Sequence, residues 1–239
     1  MNSSFKPIYI LPNLFTAGSI FVGLLSILSA IDGHYEKAAW FIFICLILDG
    51  LDGKVARWTN TTSKFGVEFD SLADVIAFGI APALLLFLFI GQDFGRLGVV
   101  VSALFVILGA IRLARFNVSA SDEQPGVFIG LPIPTAAVFV AIGVLLFSKY
   151  NFIHSFEVTL LLMSLFISFL MVSNFRFPSF KKSALPKKFV YKFLVVVTIL
   201  LGVIYIFPIE SFAILIMGYI SYGFFRGIYT IVLIKKEKI

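Results

Sequence analysis

Charge is what this sequence has least of. Asp, Glu, Lys and Arg make up 13% of its 239 residues, against roughly 25% in an ordinary soluble domain. So few ionic groups imply a surface that faces lipid over most of its area. The single cysteine, Cys45, excludes an intramolecular disulfide. The two histidines, His34 and His154, are isolated and fall near predicted external loops, so they form no metal signature. A P-loop, a nucleophile elbow and a glycine-rich dinucleotide fingerprint are missing as well. Hydrophobic residues are plentiful at 60%, with 29 Phe, a load that suits lipid-facing helices. The net charge of +6 has to be read from where the basic residues stand, and no nucleic-acid partner is expected.

A helix needs about 20 apolar residues to cross a bilayer. Apolar runs between polar breaks give eight candidates, at 12–31, 36–57, 69–90, 96–116, 130–149, 155–173, 190–207 and 211–234. The expected fold is all-α, a polytopic transmembrane bundle of about eight spans with both termini cytoplasmic. The first run is longer than a signal-peptide core and no small-x-small cleavage site follows it, so it is expected to be retained. With this topology 16 of the 19 basic residues lie on one side, and only Lys37, Arg96 and Lys149 on the other. That asymmetry is what the positive-inside rule demands. It points to the cytoplasmic (inner) membrane. No break is long enough for a soluble domain, so residues 1–239 read as one membrane domain.

The chemistry is concentrated in 49–74. Asp49 and Asp52 are three apart near the end of the second run, and Asp70 and Asp74 are four apart in the third. Both spacings put two carboxylates on one helix face. Each carboxylate costs about 2.5–3.5 kcal/mol at the bilayer centre on insertion scales. Lys54 and Arg57 offset only part of four negative charges. Bound divalent cations would neutralise the rest, and all-oxygen ligation favours Mg²⁺ or Mn²⁺. Two ions in one carboxylate cluster make a clamp suited to displacement at phosphorus. Gly53, Ala56 and Gly66 share the faces of the acids and let a flat ring or a phosphate approach the backbone.

The run Asp52-Gly53-x-x-Ala56-Arg57-x8-Gly66-x3-Asp70-x3-Asp74, with Asp49 three residues before it, resembles the full signature of the CDP-alcohol phosphotransferases. The resemblance implies that Asp49, Asp52 and Asp70 ligand two metal ions, with Asp74 contributing and also acting as the base. It implies that Gly53, Ala56 and Arg57 hold the CDP portion, and it suggests a homodimer. Three further segments are similar to membrane-embedded phosphatidylserine synthases. They are Leu11-Pro12-Asn13-Leu14-Phe15-Thr16, Arg112-Leu-Ala-Arg115-Phe116-Asn117, and Phe128-x-Gly130-Leu131-Pro132-x-Pro134-x-Ala136-Ala137.

The expected reaction is transfer of a phosphatidyl group from CDP-diacylglycerol, entering from the membrane lipid, to L-serine. Asn13 and Thr16 are candidates to hydrogen-bond the nucleotide. Arg112 and Arg115, three apart, are candidates to meet a carboxylate or phosphate. Glycerol 3-phosphate or an inositol phosphate is the alternative acceptor. A cation transporter is the other class, since intramembrane acids also mark ion paths. Against it, the acids gather near one surface, the later runs carry none for a relay, and no inverted repeat is visible.

Overall fold

The computed structural model describes residues 10–59, 61, 63–119, 127–150, 157–178 and 190–236. The chain forms a helical bundle. Helix α1 spans Ile10–Ile31 and α2 spans Tyr35–Trp58, and the two pack along each other as a hairpin. Helix α3 (Lys64–Asp74) runs on through a π-helical segment, Val75–Ile80, into α4 (Ala81–Phe89). A 3₁₀ turn at Gly91–Phe94 leads to α5 (Arg96–Ser119). Helices α6 (Ile133–Lys149), α7 (Glu157–Val172), α8 (Val190–Ile206) and α9 (Pro208–Lys236) follow.

Helix α6 is the axis of the bundle. Ala136, Ala137, Val140, Ala141 and Val144 are fully buried, and α6 touches α2, α4, α7 and α9. A helix apolar on every face is stable only when surrounded. The outer helices show the opposite pattern. Leu14, Phe21, Ile47 and Leu72 are each more than 60% exposed. So much exposed apolar surface marks a membrane-facing belt rather than a water-facing one. At one end of the bundle Lys149 forms an ion pair with Glu210, and the Tyr150 hydroxyl donates to the same carboxylate. This ties α6 to the start of α9.

All eight expected segments contain helix, with three differences. First, four helical segments are long and apolar enough to cross a membrane: Leu11–Ile31, Lys64–Phe89, Arg96–Val118 and Pro208–Thr230. Ile133–Lys149, Glu157–Val172 and Val196–Ile206 are shorter apolar helices. Helix α2 is long, but Asp49, Asp52, Lys54 and Arg57 make its last turns polar. The protein is thus a multi-pass membrane protein, with four helical segments of full spanning length among the described residues.

Second, the third segment starts at Lys64 rather than 69. Ser63 is extended and its Oγ accepts from the Gly66 N–H at 3.0 Å, an N-cap that opens the helix early. The same segment widens to a π-helix before Pro82. In a regular helix the Pro82 ring would strike the carbonyl of residue 78, and the wider turn relieves that clash.

Third, the expectation of an all-α chain misses a small antiparallel ribbon. Strand β1 (Val127–Ile129) pairs with β2 (Arg176–Pro178), Phe128 lying opposite Phe177. Gly130 follows β1 with φ +79°, and a Cβ there would lie 2.2 Å from the Met171 carbonyl oxygen. Only glycine allows that turn into α6.

Candidate active site and metal centre

Helices α2 and α3 both pack on α1, so α1 sets how the two acidic faces meet. One carboxylate oxygen each from Asp49, Asp70 and Asp74 lies within 4.8 Å of the other two. Asp52 is buried and abuts Asp70. Its Oδ2 accepts a hydrogen bond from Thr16 Oγ1 at 2.9 Å. Thr16 also sits 3.3 Å from the Pro12 carbonyl oxygen. The two helix-borne pairs therefore form one cluster, with Thr16 orienting its buried member.

The cluster fits a hard divalent cation. At an Mg–O distance of about 2.1 Å, opposite ligand oxygens stand about 4.2 Å apart, inside the 4.8 Å that bounds the separations here. Every donor is a carboxylate oxygen, the donor type that selects magnesium or manganese over softer metals. Among the described residues no other group of acids, histidines or cysteines gathers in this way.

Beside the carboxylates lies a cavity of about 180 Å³. Asn13 and Thr16 reach it from α1, and Asp52, Gly53, Ala56 and Arg57 from α2. Gly66 and Asp70 close it from α3. All six residues expected to hold a CDP-lipid thus share one wall system with two of the aspartates. The Arg57 guanidinium folds back over its own helix, 3.5 Å from where a Gly53 Cβ would stand. A Cβ on Gly66 would lie 3.4 Å from Asn13 Oδ1. Any larger residue at either glycine would narrow the cavity. The first turn of α3 borders the cavity, and a helix N-terminus with an arginine beside it favours an anion.

The two arginines of α5 part company. Asn117 Nδ2 donates to Ser71 Oγ at 2.9 Å, which fixes the register of α5 against α3. Arg112 lies five residues deeper than Asn117, about 7.5 Å, and Asp74 three residues deeper than Ser71, about 4.5 Å. Arg112 is thus carried to the depth of Asp74, is 6% exposed, and interacts electrostatically with it. Arg115 is engaged elsewhere. Its Nη1 donates to the Val172 carbonyl at 3.1 Å and to Asn174 Oδ1 at 3.2 Å, and its Nη2 donates to the Ser173 carbonyl at 3.0 Å. A cation donating to the last carbonyls of a helix is a C-terminal cap. Geometry therefore gives Arg115 a structural post at the end of α7.

Sequence reasoning missed Ser63 and Thr61, and gave Asn117 no role beyond its place in a motif. Ser63 and Thr61 line the cavity, and Asn117 sets the register that delivers Arg112. Ser63 had a signal, a serine just ahead of a helical run. The Asn117–Ser71 contact had none, since it joins residues 46 apart.

Together these features define a membrane-embedded helical bundle whose carboxylate centre adjoins a phosphate-sized cavity. Residues 9–170 match the family model for CDP-alcohol phosphatidyltransferase, and the chain belongs to that family. It is similar, at 50% identity over 228 residues, to a Helicobacter pylori protein named CDP-diacylglycerol–serine O-phosphatidyltransferase, covering 95% of this chain and 94% of the relative. A Bacillus subtilis protein of the same name is 36% identical over 174 residues, 73% of this chain and 93% of the relative. Archaetidylserine synthase of Methanothermobacter thermautotrophicus is 37% identical over 170 residues, 70% of this chain and 69% of the relative.

The Thr16–Asp52 bond carries a first prediction. Thr16→Val keeps the shape and removes the donor to a carboxylate, an interaction of about 1.5–3 kcal/mol. Phosphatidyl transfer should fall about tenfold or more in kcat/KM, with thermal stability lowered by no more than the same few kcal/mol. Unchanged kcat/KM would show that Asp52 is positioned without Thr16.

Proposed function

We infer that this chain transfers the phosphatidyl group of CDP-diacylglycerol to the hydroxyl of L-serine, giving phosphatidylserine and CMP. The observation that carries this reading is the junction of the carboxylate cluster with the cavity lined by the CDP-lipid residues. Relatives across most of the chain's length, named for serine transfer, support the choice of acceptor.

The lipid substrate enters laterally, with its acyl chains in the bilayer and its diphosphate at the carboxylate end of the bundle. Asn13, Gly53, Ala56, Arg57 and Gly66 seat the CDP portion, the small residues giving room and Arg57 meeting phosphate charge. Thr16 holds Asp52 in place. Asp49, Asp52, Asp70 and Asp74 would hold two divalent cations, Mg²⁺ or Mn²⁺, which would supply positive charge to offset the phosphoryl oxygens and the CMP leaving group. Asp74 accepts the proton of the serine hydroxyl as that oxygen attacks the phosphorus bearing diacylglycerol. The bond from that phosphorus to the bridging oxygen breaks, and the electron pair leaves with CMP. Arg112, buried at the depth of Asp74, faces the charge brought by the acceptor.

The polypeptide acts as one membrane domain over 1–239, with its catalytic signature in 49–74. It crosses the inner membrane eight times with both termini and the active site on the cytoplasmic face. The one-sided distribution of basic residues supports that orientation. The working unit is a homodimer, on the family resemblance.

The test is acceptor choice. Purified protein is given CDP-diacylglycerol with radiolabelled L-serine, glycerol 3-phosphate or inositol phosphate in separate reactions. Label should enter lipid from serine. Preferential labelling from either phosphorylated acceptor would assign that acceptor instead.

A further inference from the structure

The family match ends at residue 170, yet β2 and α9, which lie beyond it, reach the active-site end of the bundle. Helix α9 packs on both α6 and β2. Its fit against the ribbon is close. A Cβ on Gly223 would stand 2.1 Å from the Phe177 ring, and one on Gly227 would stand 2.6 Å from the Phe175 ring. One turn before Gly223, the Tyr219 hydroxyl donates to the Pro178 carbonyl at 3.2 Å. The Tyr219 ring packs on Phe177, with centroids 5.8 Å apart. Tyr219 is thus held from two sides by β2.

Phe177, on which Tyr219 packs, lies opposite Phe128 of β1 across the ribbon, and the charge of Arg112 reaches Tyr219. Arg112 in turn lies over the Phe116 ring, 5.3 Å from its centroid. Phe116 contacts Phe128 of β1 at 6.5 Å between centroids. The ribbon therefore supports the surroundings of Arg112 from both strands, β1 through Phe116 and β2 through Tyr219. A guanidinium fixed in a planar setting, away from water, is a good receptor for a carboxylate. The acceptor inferred above brings a carboxylate, whereas Arg57 and the first turn of α3 line the cavity beside Asp52 and Asp70, where the lipid phosphates are met.

We propose that α9 and the β-ribbon complete the acceptor side of the active site, with Tyr219 acting as a positioning residue that sets Arg112 to receive the carboxylate of the amino-acid acceptor. This rests on the reading of the chain as a serine transferase. It assigns acceptor recognition in part to a segment outside the family match, so the same aspartate core can be joined to other acceptors by changing what packs on it.

The experiment compares wild-type protein with Tyr219→Phe in full-length, detergent-purified form. Phenylalanine keeps the ring contact with Phe177 and removes only the hydroxyl. Each preparation is assayed with L-serine and with L-serinamide, which keeps the hydroxyl and ammonium but lacks the carboxylate. The ratio of the two kcat/KM values is taken on one preparation, so the fraction of folded protein cancels. Tyr219→Phe, which loses the bond to Pro178, should raise the KM for serine about threefold to tenfold, the scale of one lost neutral hydrogen bond, and lower the serine-to-serinamide ratio in step. The KM for CDP-diacylglycerol should shift less than about twofold. Equal losses with both acceptors, or an unchanged ratio, would overturn the proposal. A rise confined to the KM for CDP-diacylglycerol would also overturn it, since Arg112 would then serve the lipid phosphate. Wild-type protein that fails to use serine would overturn the functional reading itself, which separates the two failures.

Discussion

Asp74→Asn should lower serine transfer by about 10³-fold, within the range attributed to a positioned general base, and leave a folded, inserted protein. Asparagine has nearly the same shape but cannot take the hydroxyl proton. The substitution also removes one negative charge from a crowded cluster, so stability should hold or rise. Two carboxylates with oxygens within 4.8 Å of each other repel by about 3 kcal/mol or more at an effective dielectric constant near 20. The two readouts should therefore separate, with kcat collapsing while the thermal midpoint in detergent is unchanged or higher. Parallel loss of both would mean that Asp74 is needed for assembly. Full activity would remove it from the proton-transfer role.

Removing divalent cations has the second large effect. Chelation should stop turnover, and added Mg²⁺ or Mn²⁺ should restore it. The same cluster gives a readout independent of activity. A cation that binds only the folded protein stabilises it by about 2.7 kcal/mol at a hundredfold excess over its Kd. Thermal midpoints should thus climb with Mg²⁺ in wild-type protein and far less in Asp49→Asn or Asp70→Asn. Turnover that persists in chelator, or equal thermal shifts in wild type and variants, would refute the metal centre.

The sequence made the acidic pairs legible because one-turn spacing within an apolar run is expensive and has few explanations. It also marked the cavity residues, since Gly53, Ala56 and Gly66 fall on the same faces. What it could not display was contact between distant segments. Thr16 read as a candidate nucleotide ligand, and its hydroxyl donates to Asp52 across 36 residues. Arg112 and Arg115 looked equivalent because they share one short motif. Three residues along a helix is nearly a full turn, yet the packing of α7 captures one guanidinium and leaves the other at the depth of Asp74. The ribbon was hidden because each strand has three residues inside what reads as a polar break. The π-helical stretch had one available signal, Pro82, within an otherwise uninterrupted apolar run.

The central claim is a single direct displacement at phosphorus, with Asp74 taking the proton rather than forming a bond. It is tested most directly with CDP-diacylglycerol made chiral at the phosphorus next to the lipid. The configuration of phosphatidylserine formed by the purified protein is then read. One in-line attack by the serine hydroxyl predicts inversion. Retention would contradict the account, because it requires two displacements and a covalent phosphatidyl-enzyme between them.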